Sequence, residues 1–183
     1  MTTNPEDFGI PMVGTPGGLQ AIPSSFIREN NVSAYAQYDL LAASTTAATA
    51  VEIVGAVRAA GEAFRWEGVR LRSTNPLAKG KTFRVHLFAG APTLGVNDNG
   101  VFNASGANVL AVSDIAGYVG YVDVTLDMAG TAGAAGRGGL DYQQTIVPTT
   151  GTSLWWVLEQ RDAAGYTPIA QEQFHARFMG QWS

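Results

Sequence analysis

"FRVHLFAGAPTLGVNDNGVF", residues 83–102, decides how the rest of the chain is read. Its first half alternates: Phe83, Val85 and Leu87 fall on one side, Arg84 and His86 on the other. That period of two marks a strand with one buried and one solvated face. Its second half, Asn97-Asp98-Asn99-Gly100, looks at first like a calcium loop. Such a loop needs side-chain oxygens at alternate positions ahead of its glycine and a glutamate beyond it. Counting back from Gly100 gives Asn99, Asn97 and Gly95; two are neutral, one has no side chain, and no glutamate follows at the required distance. The stretch therefore reads as a strand followed by a turn.

The same alternation recurs along the chain. Val69 and Leu71 alternate with Arg70 and Arg72; Val122, Val124, Leu126 and Met128 with Asp123, Thr125 and Asp127; Phe174, Ala176 and Phe178 with His175 and Arg177. Clusters of Gly, Pro, Asn and Asp at 74–80, 90–100, 129–139 and 148–152 separate these runs as turns. Many short strands without amphipathic helices between them predict an all-β fold, an antiparallel β-sandwich of jelly-roll type. The Ala-rich stretch 40–61 has near-helical spacing at Val51, Val54 and Val57, yet its Thr, Ser and Gly55 favour strand over helix. "LWWVL", 154–158, is apolar on both sides, which places it between two layers or under another subunit.

Residues 1–30 stand apart. Pro5, Pro11, Pro16 and Pro23 exclude regular helix and disfavour a central strand. Apolar Phe8, Ile10, Met12 and Phe26 recur among them, more than a plain disordered tail would carry. The expected organisation is an extended N-terminal arm over 1–30 and a sandwich domain over 31–183.

Composition narrows the chemistry. The chain has 183 residues, 46% of them hydrophobic and only 14% charged, with 22 glycines and no cysteine. Thiolate nucleophiles and sulfur-held metals are thereby excluded. The net charge of −4 gives no general attraction to nucleic acid or acidic membranes. No apolar run reaches the length of a membrane span, and no basic flank or hydrophobic segment marks an export signal. His86 and His175 sit singly on predicted strands and read as exposed or interfacial, without a metal-ligand partner at short spacing. No G-x-S-x-G elbow occurs. Asp123 and Asp127 share a strand face but lie about 13 Å apart at strand rise, too far for a glycosidase pair. "AGTAGAAGRGG", 129–139, lacks the lysine and following helix of a phosphate cradle and reads as a flexible loop. No catalytic residue, metal or cofactor is expected, and the chain is not read as an enzyme.

Seven of the eleven basic residues fall between 58 and 84, opposed there only by Glu62 and Glu67. With no aromatic ladder among them, they read as a solvated strand face or a patch that docks an acidic protein surface.

A resemblance carries the reading further. Tyr35-Ala-Gln-Tyr-Asp39, Val57-Arg-Ala-Ala-Gly61, Trp66-Glu-Gly-Val-Arg-Leu71, Leu87-Phe88, Pro92-Thr93, Asp98-Asn99, Phe102, Leu154-Trp-Trp-Val-Leu-Glu-Gln-Arg161 and Tyr166-Thr-Pro168 are similar to stretches of small structural proteins of tailed bacteriophages. Together they span roughly residues 35 to 178. The chain resembles capsid decoration (cement) proteins of that group. The resemblance implies a β-sandwich on the outer surface of the virion head, a homotrimer bound to the major capsid protein, with no nucleic acid, membrane or cofactor partner. Phe8, Ile10, Met12, Phe26 and Trp155 are then the candidates for capsid or subunit contact. The alternative expectation is a tail or fibre module that adsorbs to host glycans through an exposed Trp155 or Trp182. A polysaccharide depolymerase is disfavoured by the missing carboxylate pair.

Overall fold

The computed structural model describes residues 18–104 and 110–182. Ten strands account for nearly half of them: β1 Leu19–Ile27, β2 Leu40–Leu41, β3 Val51–Ile53, β4 Phe64–Ser73, β5 Thr82–Phe88, β6 Tyr118–Thr125, β7 Met128–Gly130, β8 Gly133–Ile146, β9 Leu154–Gln160 and β10 Gln173–Trp182. A single 3₁₀ turn, Pro76–Ala78, and one short helix, α1 Val112–Ala116, complete the set. Every strand pair is antiparallel. One sheet runs β1-β10-β4-β8-β7; the other runs β2-β9-β5-β6, with β3 also on β9.

The pairing is nested. With β2 and β3 taken as one interrupted strand, the first strand pairs with the last, the second with the last but one, β4 with β8, and β5 with β6. Two packed antiparallel sheets joined in this way form a jelly roll. The expected all-β sandwich is the fold observed.

The alternating residues face inward as their pattern requires. Val69, Leu71, Phe83, Val85, Leu87, Val122, Val124, Phe174, Ala176 and Phe178 are all buried in one core between the sheets. Trp66 and Trp156 are its largest members, and each indole N–H has a partner: Gly68 O at 2.9 Å and Ser24 Oγ at 2.8 Å. Those hydrogen bonds remove the desolvation cost of burying a polar N–H. Met128 breaks the pattern. The strand ends at Thr125, Leu126 is the last buried residue of the run, and Met128 opens β7 with its side chain in solvent.

Three expectations need correction. The sandwich begins at Leu19, inside the stretch expected to be an arm, because β1 pairs with β10 along its whole length. Pro23 is tolerated there since, among the described residues, β1 is an edge strand with no neighbour on its outer side. Phe26 is consequently a core residue, stacked 5.6 Å from Phe174 and tilted 5.5 Å from Trp156, so it is not free to contact a capsid. Residues 129–139 are strand and hairpin, not a loop. Their glycines let β8 touch the backbone of the opposite sheet: a Cβ on Gly136 would lie 2.0 Å from Thr125 O, and one on Gly138 2.6 Å from Asp123 O. Within 40–61 the strand preference holds over helix, though only β2 and β3 are regular.

The apolar strand "LWWVL" is β9. Leu154, Trp156 and Leu158 enter the main core. Val157 joins a second cluster with Leu40, Ala42, Phe88, Phe102 and Leu110, against which Trp155 packs half-buried. The outer side of the four-stranded sheet is therefore covered by the chain's own segments, and no second subunit is needed to explain it.

Candidate functional site

The two outer faces of the sandwich differ. That of the four-stranded sheet is closed, and the groups expected to be solvated there are tied together. His86, expected to be exposed or interfacial, is 7% exposed and packed within the domain. Its Nε2 lies 2.6 Å from Glu159 Oε2 and its Nδ1 3.1 Å from the Tyr118 hydroxyl. Glu159 also accepts from Arg161 at 2.9 Å, and burial pushes the Tyr118 hydroxyl up to about 12. Beside them Arg84 grips Asp123 with two hydrogen bonds, 2.7 and 2.8 Å, and lies 3.6 Å over the Tyr121 ring. The Asp123 bond raises the Arg84 guanidinium above its ordinary value. These contacts stitch β5, β6 and β9 together, and they account for His86 structurally.

Two further polar clusters are buried. Asp98, from the apparent calcium loop, accepts from Arg28 at 3.1 Å, from the Tyr35 hydroxyl at 2.6 Å and from Ala42 N at 2.8 Å. Asn97 Oδ1 caps Ala48 N, and Asn99 adopts a left-handed φ of 63°. The loop is a clasp that fastens neighbouring segments, as its reading as a turn anticipates. Glu172 accepts from Ser73 and the Tyr166 hydroxyl, while Asn75 donates to that same hydroxyl at 2.9 Å. Burial raises the Glu172 carboxyl above its ordinary range despite those donors, and raises the Tyr35 and Tyr166 hydroxyls likewise. Among the described residues no group of three His, Asp or Glu side chains could hold a metal ion.

The described residues leave the outer face of the five-stranded sheet open. It forms a broad shallow groove of about 1350 Å³ that crosses β1, β10, β4, β8 and β7. Four arginines line it, Arg70, Arg72, Arg137 and Arg177, with Asp127 the one carboxylate among the lining residues. Arg70 is the cross-strand partner of both Arg177 and Arg137, so these three stand abreast on adjacent strands. Among the described residues none of their three side chains has an ion-pair or hydrogen-bond partner. Met128 and Met179 supply apolar surface in the same groove.

The basic cluster read at 58–84 is thus divided. Arg58 pairs with Glu62, Arg65 with Glu67, Lys81 with Asp162 and Arg84 with Asp123, while Arg70 and Arg72 look into the groove. Arg137 and Arg177, distant in sequence, join them through strand register. Of the predicted contact residues, Phe8, Ile10 and Met12 lie outside the described residues. Trp155 lies on the covered side of β9, away from the groove. Neither Trp155 nor Trp182 offers a flat exposed ring; Trp182 is half-buried, donates to Ala56 O at 3.0 Å and lies 5.4 Å from the Arg58 guanidinium. No protein-family model matches the chain, and neither a curated protein nor a solved structure matches it significantly.

Proposed function

We propose that this chain is a capsid decoration protein, bound to the outer surface of an assembled phage head and bridging subunits of the major capsid protein. One observation supports the reading beyond the resemblance: the jelly roll seals one outer face with its own segments, and the described residues leave the other open as a wide shallow groove. A shallow, arginine-lined surface suits a protein partner better than an enclosed small-molecule pocket would. In this reading the protein is not an enzyme, needs no cofactor, and has neither nucleic acid nor membrane as partner. Phe8, Ile10 and Met12 serve as apolar anchors that hold the N-terminal segment on the shell. Phe26 and Trp155 are not proposed as anchors, because Phe26 packs in the main core and Trp155 packs against the second cluster. The homotrimer rests on the resemblance alone.

Co-sedimentation of the purified protein with undecorated shells tests the reading. Saturable binding at a fixed ratio to the major capsid protein is expected, and no binding would overturn it. Mass photometry of the free protein tests the trimer. A variant lacking residues 1–17 tests the anchors; the cut stops short of Leu19 because β1 belongs to the sheet.

A further inference from the structure

Arg177, Arg70 and Arg137 stand side by side on β10, β4 and β8. Like charges directly opposite one another destabilise a sheet. Elsewhere in the chain arginines are neutralised: Arg28 by Asp98, Arg58 by Glu62, Arg65 by Glu67, Arg84 by Asp123 and Arg161 by Glu159. The sequence has 15 carboxylate residues for 11 basic ones, so a shortage of acids does not explain the unpaired row.

We infer that this row receives an acidic, extended segment of a partner protein. Its carboxylates sit on the three guanidinium forks and its apolar groups on Met128 and Met179. The inference rests on the decoration reading for the partner's identity, which would be a surface loop of the shell subunit. Planar guanidinium groups pair with carboxylates through two parallel hydrogen bonds, and methionine adapts to irregular apolar contacts. At about 4.8 Å between strands the row spans about 10 Å, the distance between residues i and i+3 of an extended peptide. A nucleic acid fits less well. Among the described residues no Phe, Tyr or Trp lines the groove for base stacking, and the chain's net charge of −4 opposes a long polyanion.

The probe is a fluorescein-labelled hexaglutamate peptide, titrated by anisotropy against the full chain. Replacing one of Arg70, Arg137 or Arg177 by Gln is expected to weaken binding about threefold, and the triple variant about thirtyfold. R65Q, whose arginine already pairs with Glu67, leaves affinity unchanged. The melting temperature of the triple variant stays at or above wild type, since a repulsion has been removed; this separates lost binding from lost folding. Affinity indifferent to the triple substitution overturns the proposal, as does equal or tighter binding of duplex DNA. A large gain in affinity in E6Q/D7N would assign the groove to the chain's own N-terminal segment and overturn the external partner. Shell co-sedimentation separates this inference from the decoration reading. If wild type and triple variant decorate shells equally, the arginine row is refuted and decoration stands. If wild type ignores shells yet binds the peptide through the row, decoration fails and acidic-segment recognition stands.

Discussion

Removing one carboxylate from the 97–100 loop should unfasten much of the molecule. In Asp98→Ala the Arg28 guanidinium, whose side chain is 0% exposed, loses the only ion-pair partner it has among the described residues, and the Tyr35 hydroxyl and Ala42 N–H lose their acceptors. Arg28 Nε is already without a partner in the interior. Breaking a buried ion pair by deleting one member costs about 3–5 kcal/mol, because the survivor remains buried and uncompensated. Taking about 4 kcal/mol from a domain whose total stability is about 5–15 kcal/mol leaves it marginal. In urea, with a slope of about 2 kcal/mol/M, the midpoint should fall by about 2 M. Asp98→Asn keeps an acceptor for Tyr35 and Ala42 and should lose roughly half as much. The double variant R28M/D98L removes both charges and should recover most of the loss. If Asp98→Ala cost less than about 1 kcal/mol with the slope unchanged, the view of this loop as a buried clasp would be refuted.

Three other outcomes follow from the same packing. Glu172 has a folded pKa above its ordinary value through burial, so the folded state holds the extra proton; wild-type stability should fall as pH rises from about 4.5 toward that folded pKa. Urea midpoints of Glu172→Gln should lack this component of the slope, and parallel wild-type and variant profiles would contradict the assignment. Gly136→Ala places a methyl against Thr125 O and should cost about 2 kcal/mol, or several degrees of melting temperature, whereas Gly139→Ala meets nothing within 4 Å and should be nearly silent. Iodide should quench tryptophan emission only weakly, since Trp66 and Trp156 are fully buried and Trp155 and Trp182 half-buried; strong quenching would restore the glycan platform.

Much of the fold was legible because alternation is a direct image of the pleat: Val69, Leu71, Phe83, Val85, Leu87, Val122 and Val124 point where their spacing says. Alternation reports which side a residue takes, but not whether that side is later covered. His86 has the parity of a solvated residue and is buried because Phe102 and Tyr118 close over it. The glycine-dense 129–139 stretch carries the composition of a loop, yet glycine is what a strand requires where two backbones meet. Asp98 gave no local sign of its role, since its partner Arg28 is 70 residues away. Only one member of the arginine row was visible. Arg70 stood out in the basic cluster, but only strand register brings Arg137 and Arg177 beside it.

The nested strand pairing also sets an order of assembly. Closing β1 on β10 from an open chain would span about 150 residues and cost about 4 kcal/mol in loop entropy. Once β5–β6, β4–β8 and β2/β3–β9 have zipped, only about a dozen residues on each side remain to be drawn in. The jelly roll should therefore close from its innermost hairpin outward, and pulsed hydrogen exchange during refolding should protect β5 and β6 amides before those of β1. Arg70 and Arg137 come abreast first, and Arg177 arrives with β10. A chain caught halfway has an incomplete groove, so any partner that reads the full arginine row is also reading whether the molecule has finished folding.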